Sequence, residues 1–283
     1  MTVALGATQR FRISCWRDLR CSHMEEMSTS SRMPVVFVGH GTPMNALGGP
    51  NARAWGDVAA GLPRPKAILA ISAHWGLSET AVTAMAAPKT IHDFGGFPQA
   101  LFDMRYPAPG DAALAARAAE LLAPLAVRAD QEWGLDHGTW SVLAHMYPDA
   151  DVPVVQLAMD LSQPMAAHYD IGKRLAPLRD EGVLILGSGD VVHNLRAAVR
   201  AENAQPLAWA QHFHDAVRER LSAGDHGALI DPGGLGPEAG MAVDEHYLPL
   251  LYVLGATQPG EPVALFNDHI DLGSISMLGA RIG

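Results

Sequence analysis

The sequence predicts an α/β protein, a single three-layer α/β/α domain with a mostly parallel or mixed central sheet. Short, almost continuously apolar runs recur along the chain, as strands covered on both faces require. Alanine- and leucine-rich segments of helical period separate them. The 283 residues, 48% hydrophobic and 18% charged, are enough to bury a large core.

The strands are expected in "PVVFVG" (34–39), "AILAISAHW" (67–75), "VPVVQLAM" (152–159) and "GVLILGSG" (182–189). Helices are expected over 110–125, with Asp111 near its cap, over 164–180, with Pro164 near its start, and over 206–224, closing on Gly224. A shorter helix begins near Asp244 in "VDEHYLPLLYVLG" (243–255), and the tail from Pro262 supplies one or two late strands that complete the sheet. Residues 90–110 and 133–148 are polar and aromatic, and the first of these stretches has the texture of a loop. Residues 1–32 differ from the rest, with five arginines, both cysteines and a Ser/Thr-rich end. They are expected to form a disordered or loosely attached extension to a domain spanning 33–283.

A net charge of −10 argues against a nucleic-acid partner. No apolar run approaches the roughly 18 residues of a membrane span. Two cysteines, Cys15 and Cys21, exclude a disulfide framework and point to a cytoplasmic setting. Their spacing has no zinc-site partner nearby, so any metal must be held by histidine and carboxylate. The thirteen histidines are the place to look.

Three of them end predicted strands. His40 follows "VVFVG", His74 follows "AILAISA", and His193 lies just past "VLILGSG". In open α/β sheets ligands gather outside the carboxyl ends of the strands, where histidines distant in sequence can converge. Any one of them read alone is more simply a hydrogen-bonded core histidine; three in one placement point to a metal, for which neutral imidazole is the commonest ligand. "DEHY" offers a further donor, either Glu245 or His246, which on a helix point about 100° apart. His137, between Asp136 and Gly138, is a candidate proton donor or substrate-binding residue. His92, Phe94 and Phe97 mark a candidate aromatic pocket wall. His145, His212, His214, His226 and His269 read as surface or packing residues.

Taken in order, "GHGTPMNAL", "SAHW", "TIHDFGGFPQALFDMRYPAPG", "DHGTWSVL", "GSGDVVHNL" and "EHYLPLLYVLGA" resemble the class III extradiol (LigB-type) ring-cleavage dioxygenases, in their 4,5-DOPA dioxygenase branch. The resemblance runs over about residues 33–283. It implies an enzyme that uses O2 at a mononuclear non-haem centre, Fe(II) or in some relatives Zn(II), to open a DOPA-like catechol beside its hydroxyls to a semialdehyde. It implies His40, His74 and His246 as metal ligands, His193 as a fourth ligand or the acid–base histidine, and His137 as a second catalytic and substrate-binding histidine. His92, Phe94, Trp75, Trp140 and Tyr247 are the expected pocket residues, and Arg105 is the cation offered for the amino acid end of the substrate. The rival reading of the same histidines is a zinc-dependent hydrolase, which needs an activated water and no oxygen; a non-enzymatic metal-binding protein is the third.

Overall fold

The computed structural model describes residues 32–201 and 204–283. The extension expected over 1–32 therefore lies outside the described residues, except for Arg32. Ten strands are present among the described residues: β1 (Val35–Gly39), β2 (Ala67–Leu77), β3 (Thr80–Thr83), β4 (Val127–Asp130), β5 (Val154–Asp160), β6 (Val183–Gly189), β7 (Val263–Phe266), β8 (Ile270–Asp271), β9 (Ile275–Ser276) and β10 (Gly279–Ile282). Eight form one sheet in the order β4-β3-β5-β2-β6-β1-β10-β7, and β8 and β9 make a small separate hairpin. The four central strands β5, β2, β6 and β1 run parallel, while β3 opposes β5 and β10 opposes β1. The sheet is mixed at its flanks and parallel at its centre, as the apolar runs predicted.

Alternation along each central strand divides the core into two layers. Val35, Phe37, Leu69 and Ile71 face one side, and Val36, Val38, Ile68 and Ala70 face the other; all are fully buried. The first side is covered by α3 (Ala112–Leu122), α5 (Met165–Leu175), α6 (Ala208–Ala223) and α9 (Leu248–Gly255), and the second by α1 (Pro50–Ala60) and α4 (His137–Met146); α2 (Gln99–Asp103), α7 (His226–Ile230) and α8 (Ala239–Ala242) are single short turns between them in the chain. Helix α9 is buried along its whole length, as an all-apolar helix must be.

The local signals act through ordinary chemistry. The Asp111 carboxylate caps α3 by accepting from the N–H groups of Ala113 and Leu114, both at 2.9 Å. Gly224 ends α6 in the left-handed region at φ 65°. The helix expected over 164–180 stops at Leu175 and continues as a 3-10 turn, Ala176–Arg179, because Pro177 cannot donate to the ladder. The two short strands β3 and β4 carry no signal in the sequence: each has four residues and no sustained apolar run.

One buried ion pair closes the base of the domain. Arg179, fully buried, donates to the carbonyls of Met33 and Ala256 at 2.7 and 2.8 Å and grips Glu261 with two bonds of 2.7 and 2.8 Å. It thereby joins the entry to β1, the end of α9 and the approach to β7. Arg179→Met strands two carbonyls and a half-buried carboxylate, so urea unfolding should show a loss of about 3 kcal/mol; an unchanged midpoint would contradict this role.

Candidate active site

Five histidines, His40, His74, His137, His193 and His246, meet in a cavity of about 790 Å³. The rings of His40, His74 and His246 form a nearly equilateral triangle, with centroids 4.9, 5.3 and 5.0 Å apart. His137 stands 3.9 Å from His74, and His193 stacks on His246 at 3.5 Å and 16°.

Each arrives there for a local reason. His40 leaves β1 at a turn in which Gly41 takes φ 58°, a conformation natural to glycine, and the Gly41 N–H bonds Asp190 at 3.0 Å. His74 lies within β2, where the register against β5 shifts between Ile71 and Gly76. Asp136 caps α4, accepting from the Thr139 N–H at 3.2 Å, and so sets His137 at the first helical position. Asp244 caps the turn Glu245–Tyr247 through the His246 N–H at 2.8 Å, where the sequence predicted the helix to begin. Gly189 lets that turn approach β6: a Cβ there would stand 2.1 Å from the His246 carbonyl oxygen, which accepts from the Asp190 N–H at 2.9 Å.

Hydrogen bonding decides which ring nitrogens face the cavity. The single hydroxyl proton of Ser188 goes to the Gly138 carbonyl at 2.5 Å. Only lone pairs remain on Ser188 for His40 Nδ1, 3.0 Å away, so Nδ1 carries the His40 proton and Nε2 is a bare lone pair. His74 Nδ1 faces Asp93 at 3.5 Å, and His246 Nδ1 faces Asp244 at 3.2 Å. Both carboxylates lie on the Nδ1 side of their rings, at ion-pair distance only, and His246 Nδ1 makes no hydrogen bond; their negative charge there favours the proton on Nδ1 and a lone pair on Nε2. The Nε2 atoms of His40 and His74 then confront each other at 3.0 Å. Two lone pairs so placed repel unless a cation lies between them, and ligands about 2.1 Å from one ion at a right angle are about 3 Å apart. A second orphan points the same way: Asp190 Oδ2 is buried without a hydrogen-bond partner, 3.7 Å from His40 Nε2. Ligand atoms converge in three overlapping groups, His40/His74/His137, His40/Asp190/His246 and His193/Asp244/His246. The residues fit a metal centre.

The electrostatics separate the histidines. Burial, reinforced by the neighbouring imidazoles, holds His40 far below its usual range and pulls His74 down to about 2. Burial also lowers His246, against the pull of Asp244. His193 goes the other way: burial would lower it, but the 2.6 Å contact with Asp244 and the field of Asp190 outweigh that and raise it. A neutral ligand set therefore sits beside a histidine that readily holds a proton.

Glu245 is about half exposed and keeps 3.8 Å from His246 Nδ1, while His246 is buried within the triangle. Of the expected pocket residues, Phe94 and His137 reach the cavity wall, joined by Phe97. The structure does not bring His92, Trp140 or Tyr247 there. The His92 ring faces the Met104 carbonyl at 3.1 Å. Trp140 and Tyr247 are fully buried, donating to the Ile91 and Leu229 carbonyls at 2.7 and 2.9 Å. Their polar atoms are satisfied by backbone in the core, which turns their rings behind the wall. Trp75, also buried, stacks on Trp133 at 5.5 Å. Arg105 folds back onto the Phe102 and Met104 carbonyls at 2.6 and 2.7 Å, and the arginine on the wall is Arg200. Three carboxylates escaped the sequence reading as site residues: Asp93, Asp190 and Asp244. Asp93 holds the His137 N–H at 2.9 Å with Nδ1 at 3.0 Å, and only its place beside His92 marked it.

His40 and His74 are uncharged when folded, whereas in the unfolded chain each titrates near pH 6.5. The metal-free protein should therefore be fully stable above that pH and lose about 1.4 kcal/mol per histidine for each pH unit below it. Thermal melts of chelator-treated protein should show the midpoint falling from about pH 7 to about pH 5.5 and level above pH 7; a level midpoint below pH 6.5 would contradict neutral burial.

Comparison with known proteins agrees with this geometry. Residues 38–279 match the family model of the catalytic LigB subunit of aromatic ring-opening dioxygenase. The 4,5-DOPA dioxygenase extradiol of Escherichia coli K12 is 49% identical over 261 residues, covering 90% of this chain and 96% of that protein. The protein of the same name from Beta vulgaris is 36% identical over 252 residues, covering 86% and 93%. A crystal structure of an uncharacterized Escherichia coli K12 protein superposes with a TM-score of 0.78 at 44% identity, over 89% of this chain and all of that one. With the match spanning nearly every described residue, this chain belongs to the LigB family of aromatic ring-opening dioxygenases.

Proposed function

We propose that residues 33–283 form an extradiol dioxygenase domain that opens a DOPA-like catechol at a mononuclear centre, with iron(II) as the working metal and zinc able to enter the same site. The observation that carries this reading is the pair of bare Nε2 atoms of His40 and His74, 3.0 Å apart and backed by Ser188 and Asp93. His246 completes the ligand set from the third corner of the triangle. The names of the Escherichia coli and Beta vulgaris relatives support a catechol of the DOPA kind. The absence of a disulfide framework supports a cytoplasmic setting, and no described helix is long and apolar enough to cross a membrane.

Three histidines suit iron(II) because a facial set of nitrogen donors leaves positions open for other ligands. Bound iron(II) supplies the single-electron chemistry that ground-state oxygen needs to react with a closed-shell catechol. The protein does the rest. A catechol must lose protons to bind as a chelate, and His193, whose Nδ1–H is held by Asp244 at 2.6 Å, presents Nε2 to take a proton from the ring hydroxyl and return it later. We therefore read His193 as the acid–base histidine rather than a fourth ligand. His137, with Nδ1 against Asp93, keeps its other nitrogen available to hydrogen-bond the reacting oxygens. Phe94, edge-on to His137 at 5.5 Å, gives the substrate ring an apolar wall and excludes water from that side.

Oxygen uptake by the iron(II)-reconstituted protein tests the reading: one O2 per catechol with a yellow semialdehyde product is expected. No uptake despite bound iron would overturn it in favour of the hydrolase. His40→Ala should lose both bound metal and turnover. His137→Gln should keep the metal and lose about 100-fold in kcat; metal analysis alongside the assay distinguishes them, and full occupancy in His40→Ala would sink the ligand assignment.

A further inference from the structure

The cavity is larger than its catalytic end requires. Its volume of about 790 Å³ lies in the range that encloses a drug-sized ligand, not merely a bare catechol ring. The part nearest the imidazoles carries the carboxylates Asp93 and Glu245. The segment after His193 adds Leu195, Ala198 and Arg200, and the β8–β9 region adds Leu272 and Ile275. Among the described residues, Arg200 is the one lysine or arginine on the wall. It is exposed, and among the described residues no carboxylate engages it. The other arginine near the aromatic loop, Arg105, is spent on carbonyl oxygens outside the cavity.

A guanidinium that no described carboxylate engages, on a wall it shares with Leu195, Ala198, Leu272 and Ile275, is a receptor for an anion, and its planar fork matches a carboxylate bidentately. We propose that Arg200 binds the side-chain carboxylate of the substrate, so that the site selects catechols bearing a carboxylate on a short chain over neutral catechols and catecholamines. This rests on the ring-opening reading above and specifies its substrate class. The diol is fixed at the imidazole end, the ring passes Phe94 and Phe97, and the chain carries its charge outward to Arg200. An amine without a carboxylate meets the guanidinium as a like charge. In DOPA, the carboxylate and not the ammonium is the group recognised by Arg200. Arg200 is thus a positioning and specificity residue that touches no reacting atom.

The test is anaerobic titration calorimetry of the iron(II)-loaded protein with 3-(3,4-dihydroxyphenyl)propionate, 4-ethylcatechol and dopamine, followed by oxygen uptake on the same samples. The wild type should bind the propionate about tenfold or more tightly than 4-ethylcatechol, with dopamine weakest. Arg200→Gln should abolish the propionate preference, whatever happens to the absolute affinities, and Arg200→Lys should restore part of it. In turnover the loss should appear in KM rather than kcat. A wild type without the preference, or a preference unchanged in Arg200→Gln, overturns the proposal. Absence of oxygen uptake with the binding preference intact would instead overturn the ring-opening reading and leave the carboxylate site standing.

Discussion

The hydrogen bond from Ser188 to the carbonyl of Gly138 governs the chemistry of this site. A serine has one proton, and once that is committed the neighbouring imidazole of His40 has a single tautomer open to it. The lone pair of His40 Nε2 is thereby aimed into a buried space where His74 aims its own, 3.0 Å away. His40 is buried and His74 mostly so, and protonating either nitrogen to relieve the repulsion would hold a charge away from solvent. A cation is the remaining partner. The sheet makes this possible because Ser188 and His40 stand at the carboxyl ends of adjacent parallel strands, β6 and β1.

The carboxylates around the triangle divide the labour of five similar side chains. Asp93 touches His74 and His137, and Asp244 touches His193 and His246. Each joins a ring of the triangle to one outside it, so the orientation of ligands and of proton-carrying groups is fixed by the same two residues. Burial lowers both rings, and what they face decides the outcome: His193 shares a 2.6 Å contact with Asp244 that outweighs burial, whereas His74, 3.5 Å from Asp93, is pushed further down by the neighbouring imidazoles. One fold thus provides both neutral nitrogen donors and a proton-accepting imidazole without any change of residue type.

Much of this arrangement was legible in the chain. His40, His74 and His193 announced themselves by following apolar runs, since the period of a buried strand and the place where it ends are local properties. The cap at Asp111 and the helix start at Asp244 were local too, each carboxylate bonding an N–H two or three residues on, whereas the cap at Asp136 was not read from the chain. The aromatic pocket was read less well. Trp140 and Tyr247 belong to sequence motifs that hold site histidines, yet neighbours in sequence on a helix or turn point in different directions, and these two point into the core. Asp190 and Asp93 were overlooked as partners because a carboxylate gains its meaning here only from imidazoles tens of residues away.

The sequence by itself determined the layered α/β architecture, the placing of His40 at a strand exit and the need for a nitrogen-rich metal site, because periodicity, capping and residue chemistry act over a few neighbouring positions; His74, expected at a strand end, lies inside β2. Tertiary structure alone decided which histidines are neutral and which keeps a proton, which of Glu245 and His246 enters the triangle, and that Arg200 rather than Arg105 faces the cavity. Those outcomes depend on close contacts between groups far apart in the chain, such as His193 and Asp244 at 2.6 Å, where burial and charge set the behaviour of an ionisable side chain.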